Sequence, residues 1–442
     1  GCKVLLLSGT PMKDNVKEIA SVMNLILPFD DKGLPALPTR DAFLKEYFDK
    51  NNIINRDGID VLKKVFKGRV SYLSSMKTNV DIVYEGEKLN KLQHFTVSQD
   101  IMSSFQTEAY IKAYNLDTTQ GEKQEGIYAN ARQASLFVFP DGSSGTDGFS
   151  TYIKTTKKSK IVTDSDITTK TSSFSLKDEL KKELTGNNEE KLEKLEKFSS
   201  KYAISIRNIL KASEEGKCVF VYNEFVYGGG LILFGLLLEL FGFSKASGKE
   251  TNKNNKLRYA SLTNVTSSTS QIRNIVERFN SKDNIHGKII NVIMGSRKIS
   301  EGFSFNNIQV EEILTPWFNY SESAQAIARG IRLGSHRLLL EDQKDISVKI
   351  YRRISSPSNE IPSIDLYMYE ISENKDISIK RIERIIKESA FDCSLNFNRN
   401  IIKGKDNERE CEYMDCEYSC DDVHQELLDK KLTDSELDLS TY

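Results

Sequence analysis

From residue 217 onward, short apolar runs alternate with longer segments in which apolar residues recur at helical spacing. "KCVFVYNEF", "RYASLT", "KIINVIMGS", "VEEILTPW" and "SVKIYRRIS" are predicted strands, each closing on small or polar residues. Between them, "GGLILFGLLLELFGF" is apolar all round, as a buried helix should be. "STSQIRNIVERFNS" carries Ile272, Ile275, Val276 and Phe279 on one helical face, and "SESAQAIARGIR" continues as a helix. Strands separated by helices predict a parallel sheet wrapped on both faces, with ligands beyond the carboxyl ends of its strands.

The first half is less regular. Residues 4–7, Val-Leu-Leu-Leu, have the pattern of a buried central strand running into the turn Ser8, Gly9, Thr10 and Pro11. A helix follows with Ile19, Val22, Met23, Ile26 and Leu27 on one face and Asp14-Asn15 as its cap. A proline-rich loop spans 28–38, and the next helix carries Phe43, Tyr47 and Phe48. "RVSYLSS" and "LQHFTVS" are expected as strands, and "DIMSSFQTEAYIKAY" as a helix. Residues 141–173 shift to Ser, Thr, Gly, Asp and Lys, the composition of a mobile loop or linker. A strongly helical pattern restarts at "NNEEKLEKLEKFSSKYAISIRNILKAS".

Composition changes this picture in three respects. With 62 Lys and Arg against 63 Asp and Glu among 442 residues, bulk charge announces no nucleic-acid binder, so such a site must be a local basic strip. No apolar run approaches the roughly 20 residues of a membrane span, and no secretory signal is read at the start. Six cysteines without that signal favour a reduced compartment over a disulfide framework.

Two segments carry phosphate chemistry. In "NVIMGSRKISEGFSF", small residues after a buried strand would let backbone N–H groups and Ser296 and Arg297 hold a phosphate; a plain strand-to-helix turn fits equally. In "SAQAIARGIRLGSHR", Gln325, Arg329 and Arg332 stand at i, i+4 and i+7, so a helix would set all three on one face. A solvated charged face is the ordinary outcome. The surrounding Ala324, Ala326, Ile327, Ala328, Gly330 and Ile331 argue instead for close packing, and two planar guanidiniums suit a transferring phosphoryl group.

These segments, with "LLLSGTPMKDN" and "CVFVYNEF", resemble motifs V, VI, III and IV of superfamily 2 helicases, in family order and most closely the Swi/Snf-like branch. "LTNVTSSTSQIRNIVERFN" resembles the segment preceding motif V. "YANARQASLFVFPDG" and "SENKDISIKRIERIIKESAFDCSLNFNRN" are similar to segments of helicases of large cytoplasmic DNA viruses, relatives of the poxvirus early transcription factor small subunit and nucleoside triphosphate phosphohydrolase. The resemblance implies an α/β, RecA-like fold of the P-loop NTPase type. It divides the chain into the end of a first RecA-like domain (1–90), a linker or insertion (91–195), a second RecA-like domain (196–370) and a helical, Cys-bearing end (371–442). It implies Arg332 as arginine finger, Arg329 as a second phosphate contact and Gln325 at the nucleotide cleft. Glu301 and Gly302 would line that cleft, Ser296, Arg297, Asn223 and Thr263 would lie along a nucleic-acid backbone, and Ser8, Gly9, Thr10 and Pro11 would couple hydrolysis to movement.

The implied cofactors are ATP and Mg²⁺. The implied partners are nucleic acid, DNA before RNA, an amino-terminal ATP-binding half and the viral transcription machinery, with no membrane; the implied location is the virion or host cytoplasm. The family's phosphate loop and acidic D-E-x-H-like motif belong upstream of motif III, and no substitute is found. "GFSKASGKE" has the wrong spacing and Glu250 where Mg²⁺ needs Ser or Thr, and "DDVH" at 421–424 lies in the tail. The chain is therefore expected to be the carboxyl-terminal portion of a helicase, inactive by itself. The competing class is a non-catalytic split subunit or binding module.

Cys411, Cys416 and Cys420, with Cys393 or His424 as a fourth ligand, form a candidate zinc site, set against a reading as reduced, partly buried thiols. "DISIKRIERIIKESA" reads as an amphipathic helix with Ile379, Ile382 and Ile386 inward.

Overall fold

The computed structural model describes residues 4–30, 32–50, 52–74, 80–119, 128–161, 168–250, 256–297, 302–402 and 404–420. Ten strands are described: β1 Asp81–Glu85, β2 Ser98–Ile101, β3 Ile153–Ile161, β4 Thr168–Leu176, β5 Cys218–Tyr222, β6 Ser244–Lys245, β7 Arg258–Leu262, β8 Val292–Gly295, β9 Ile308–Ile313 and β10 Ser347–Ser356. The chain divides into two units. One comprises Lys77–Trp317 and Glu322–Glu370, the other Gly1–Met76, Phe318–Ser321 and Ile371–Tyr442.

The first unit is an α/β domain. Its sheet runs β1-β10-β9-β5-β8-β7-β6, and β2 continues the β1 edge of β10. Every pairing is parallel. Apolar residues alternate across it: Val219 and Val221 of β5 face one core with Leu231, Phe234 and Ile206. Phe220 faces the other, with Ile272, Phe279 and Ile327. Each such side chain contributes about 1.5–3 kcal/mol by leaving water, which is why the strands read as continuous apolar runs.

β9 carries charges inside this core. Glu312 accepts from Arg353 (2.8 Å), Ser205 (3.0 Å) and Asn208 (2.9 Å), and Arg353 also reaches Asp100 at 3.1 Å. Nearby, Lys201 Nζ donates to Asp365 (2.6 Å) and to the Leu314 carbonyl (2.9 Å). All of these ions are buried, and each is paired, as buried charge requires.

The sequence expectations for β5, β7, β8, β9 and β10 hold. The expected helix at 187–213 is two helices, Asn188–Glu196 and Ser200–Glu214, because the Ser199 hydroxyl caps the second by accepting from the Tyr202 N–H. The expected mobile stretch 141–173 is instead helix Gly145–Tyr152 and an antiparallel β3–β4 hairpin. Threonine is β-branched and favours strands, but a polar hairpin shows no apolar alternation to announce it. The strand expected at "LQHFTVS" begins only at Ser98, and none forms at 69–74.

In the second unit, helices Glu18–Met23, Asp41–Tyr47 and Arg56–Phe66 share a core with Ile379, Ile382 and Ile386 of helix Ile364–Ser389. Residues 4–7 are not a buried strand: they pair with no described strand, and Leu5 is 81% exposed. An extended segment is buried only where a neighbouring strand takes up its N–H and C=O groups.

The zinc expectation is overturned here. Cys393 is bonded to Cys420 and Cys411 to Cys416. A sulfur in a disulfide offers no thiolate to a metal, and the described residues contain no group of three or more His, Cys, Asp or Glu able to hold one. The expectation of reduced thiols falls with it. Phe397 packs at a tilt against Tyr418, centroids 4.9 Å apart, in the same small core as Cys393 and Cys420. Cys218 is free and buried; Cys2 and His424 lie outside the described residues.

Candidate functional site

Parallel strands place all their carboxyl ends along one edge of the sheet. From β5 the chain passes β8 and β7 to reach β6 at the sheet edge, and from β8 it crosses back past β5 to β9, so the connections leave the neighbouring strands β5 and β8 in opposite directions. Asn223 and Ser296 follow those two strands, and the Asn223 N–H donates to the Gly295 carbonyl at 3.2 Å.

Asn223 is fully buried. Its amide donates to Tyr202 Oη (3.1 Å) and accepts from the Phe225 N–H (3.0 Å). Thr263, after β7, is also buried, with its hydroxyl accepting from the Val265 N–H at 3.2 Å. Both side chains hold their loops in place. Arg297, in contrast, is partly exposed; it pairs with Glu322 at 3.0 Å and stacks on Trp317 at 5.1 Å.

Around Trp317 stands a cluster that motif reading missed. Arg132 stacks on Trp317 (5.4 Å) and Phe225 (4.9 Å) and is bonded to Glu224. Burial pushes the Glu224 carboxyl up despite that guanidinium. Over an aromatic ring a desolvated cation such as Arg132 gains about 2 kcal/mol and a partly exposed one such as Arg297 about 0.5–1 kcal/mol. The signal available in sequence was the chain's single tryptophan, just beyond the end of a predicted strand.

The second group lies after β8 and before β10. Helix Tyr320–Ile327 includes Gln325 but ends before the two arginines, so the three residues do not share one helical face. Arg329 and Arg332 are brought together differently: both reach the segment following Gly302. Arg329 is buried, donating Nη1 to the Phe303 carbonyl (3.3 Å) while its own carbonyl accepts from the Phe305 N–H (2.8 Å). Arg332 is exposed, donates Nη1 to Ser304 Oγ at 2.8 Å, and lines a cavity of about 370 Å³ with Val80, Leu333, Gly334 and His336. Glu301 lies outside the described residues; Gly302 is exposed.

Gly330, between the arginines, has a steric reason. A Cβ there would sit 2.2 Å from Glu311 Oε1 and 3.2 Å from Ile308 Cβ, so only glycine lets this turn lie against β9. Glu311 is fully buried, neither oxygen has a hydrogen-bond partner among the described residues, and burial pushes its pKa well above the ordinary carboxylate value. A folded pKa above the unfolded one means stability is full below the unfolded value and is lost as pH rises. Glu311→Gln is therefore expected to match wild type at pH 4 and exceed it at pH 8, by about 1.4 kcal/mol per unit of raised pKa. Urea unfolding at both pH values reads this out.

The other glycine-lysine turn proves closed to phosphate. Glu250 accepts from the Ser247 N–H (2.5 Å) and the Gly248 N–H (2.8 Å), filling with its own carboxylate the nest an anion would take. Burial alone would raise the Glu250 pKa; these bonds outweigh it and lower it. Ser8, Gly9 and Thr10 are exposed, Pro11 is half-buried, and the Thr10 N–H donates to Ser8 Oγ at 3.1 Å.

No protein-family profile matches the chain. It is 41% identical over 422 residues to a protein of Invertebrate iridescent virus 3 named "Putative helicase 087L". It is 35% identical over 435 residues to "Putative helicase 009L" of Frog virus 3 (isolate Goorha). These alignments cover 95% and 96% of this chain but 38% and 40% of those proteins, so the chain spans about two fifths of the length of either. A further relative at 27% identity, covering 91% of this chain and 63% of its own length, is "Putative ATP-dependent RNA helicase R563" of Acanthamoeba polyphaga mimivirus.

Proposed function

We propose that the chain is the carboxyl-side part of a viral ATP-driven nucleic-acid helicase or translocase, and that its α/β unit is the second RecA-like domain. The observation that carries this is the meeting of Arg329 and Arg332 on the Phe303–Ser304 segment, within a chain similar to viral helicases over 95% of its length. Arg332, exposed beside a cavity, suits the γ-phosphate of ATP; Arg329, buried, fixes the turn that presents it. Gln325, Glu301 and Gly302 belong to the same nucleotide edge.

Arg297 and Ser296 meet the sugar-phosphate backbone, while Asn223 and Thr263 hold the loops from which that contact is made. Contacts of this kind fix position and read no sequence. Ser8, Gly9, Thr10 and Pro11 transmit closure of the nucleotide cleft. Among the described residues no group of three or more His, Cys, Asp or Glu stands where it could hold Mg²⁺. In the intact enzyme a glycine-rich Gly-Lys-Ser/Thr loop on an amino-terminal half supplies that chemistry. On this reading the motor serves viral transcription and tracks DNA; the resemblance of "YANARQASLFVFPDG" to segments of poxvirus-related helicases supports it.

The test is ATP turnover of the longer protein with single-stranded DNA, duplex DNA or RNA. Stimulation of at least about tenfold by DNA, with the 442-residue chain alone binding strands but hydrolysing no ATP, is the expected result. Stimulation by RNA alone corrects the polymer. Turnover by the isolated chain overturns its assignment as a partial motor, and stimulation by no polymer overturns the function.

A further inference from the structure

Beyond the carboxyl ends of β2 and β10 stand four tyrosines to which the proposed function gives no part. Helix Ser104–Thr119, which follows β2, carries Tyr110 and Tyr114, whose rings stack with centroids 6.0 Å apart. Tyr114 stacks in turn on Tyr128 at 5.7 Å, and Tyr128 meets Tyr367 edge-on at 6.1 Å. The inner end of this column is fixed. Tyr110 is fully buried, and its hydroxyl donates to the Pro362 carbonyl at 2.9 Å and accepts from the Ile364 N–H at 2.8 Å. The outer end is open. Tyr367, on the first turn of helix Ile364–Ser389, is 41% exposed, and Tyr114 and Tyr128 are half-buried.

Tyr128 immediately precedes helix Ala129–Leu136 with φ 56 and ψ 40, the left-handed region that a bulky side chain rarely enters. Such conformations persist where the surroundings over-determine them, commonly at binding sites. Here the Tyr128 carbonyl accepts from the Arg132 N–H at 2.9 Å. Asp117, on the helix of Tyr110 and Tyr114, accepts from the Asn130 side chain and the Ala131 N–H, both at 2.8 Å. One turn on from Tyr128, Arg132 stacks on Phe225 and Trp317, and Arg297 stacks on the same indole. Phe225 follows β5, Arg297 follows β8 and Trp317 follows β9. Rings and guanidiniums therefore recur along the carboxyl edge of the sheet, from β8 through β5 and β9 to β10.

We infer that Tyr128 and Tyr367 form a stacking platform for the unpaired bases of a single strand, with Tyr110 and Tyr114 as its rigid support. The inference rests on the function proposed above and adds a contact to bases where that reading has contacts to the backbone only. Position selects the occupant: in a parallel sheet ligands lie beyond the carboxyl ends of the strands, and this is the edge on which Ser296 and Arg297 stand. Chemistry selects it too. Every base has a π-face that a planar ring can take, so such a platform suits a motor whose other contacts read no sequence. A ring already held by its neighbours gives up little rotamer freedom when a base arrives.

The test uses the 442-residue chain with fluorescein-labelled dT30, rU30 and an abasic strand of the same length, which keeps the phosphates and lacks the bases. Anisotropy is followed across a salt series. Tyr367→Leu and Tyr128→Leu each keep an apolar side chain but remove the ring, and each is expected to weaken dT30 binding about fivefold or more. The salt slope should not change, because a stacked base releases no counterion. Affinity for the abasic strand should stay at its wild-type value. Tyr367→Phe and Tyr367→Trp should bind dT30 at least as well as wild type. Weakening on both dT30 and rU30 identifies the shared stacking of ring on base, and weakening on one assigns the platform to that polymer.

If wild type binds and both leucine variants keep their affinity for dT30 and rU30, the rings serve another partner, and the platform is overturned while the proposed function stands. Equal weakening on the abasic strand overturns it as well, since the loss would then be structural or electrostatic. A Tyr367→Phe variant as weak as Tyr367→Leu overturns it, because the hydroxyl and not the ring would carry the contact. If wild type binds none of the three strands, platform and function fall together.

Discussion

Arg332→Ala in the longer protein is expected to lower kcat for ATP hydrolysis by about 10³-fold or more, while changing nucleic-acid Kd less than about threefold. The reasoning is geometric. Arg332 is exposed, its guanidinium rests on Ser304 Oγ at 2.8 Å, and it lines an open cavity, so its loss removes charge without removing core. A transferring phosphoryl group spreads charge over its oxygens, and a planar guanidinium neutralises two of them at once, so Arg332→Lys should not restore the rate. Arg329→Ala provides the contrast. That side chain is buried against the Phe303 carbonyl, so its loss should lower the melting temperature as well as the rate. Equal losses of turnover and nucleic-acid affinity in Arg332→Ala would rule out the finger role.

Lys201→Met is expected to destabilise the α/β unit by about 3–5 kcal/mol, measured by urea unfolding. Lys201 is 0% and Asp365 3% exposed, and the 2.6 Å bond between them links helix Ser200–Glu214 to the start of helix Ile364–Ser389. Asp365 keeps the Ser355 N–H at 2.9 Å and the Ser135 hydroxyl at 3.2 Å, which do not neutralise it. Removing both charges in Lys201→Met/Asp365→Leu should recover most of the loss, because the cost lies in an unpaired buried ion rather than in a missing bond. A single variant as stable as wild type would mean that water reaches the pair.

Wherever burial acts on neighbouring residues, the sequence was legible. The strands beginning at Cys218, Arg258, Val292 and Ile308 are buried on both faces, so each is a local apolar run. Helix Thr269–Phe279 has its apolar stripe within fourteen residues of sequence, and it was readable; the Ser268 cap is seen only in the structure. The arginines of "ARGIR" were legible as a pair, though a helical face was the wrong geometry for them: the helix stops at Ile327, and beyond the turn at Gly330 Arg329 reaches the Phe303 carbonyl and Arg332 reaches Ser304.

By itself, then, the sequence determined the parallel sheet, the order of its motifs and the residue types offered to phosphate, because those depend on spacing along the chain. Only the tertiary structure decided that Asn223 and Thr263 turn inward, that Arg132 and Arg297 stack on Trp317, and that a polar stretch pairs into a hairpin. It alone bonded Cys393 to Cys420 and left residues 4–7 exposed. The reason is common to all of these. Each depends on which distant group arrives to take up a hydrogen bond, a ring face or a sulfur, and a one-dimensional pattern does not record such arrivals.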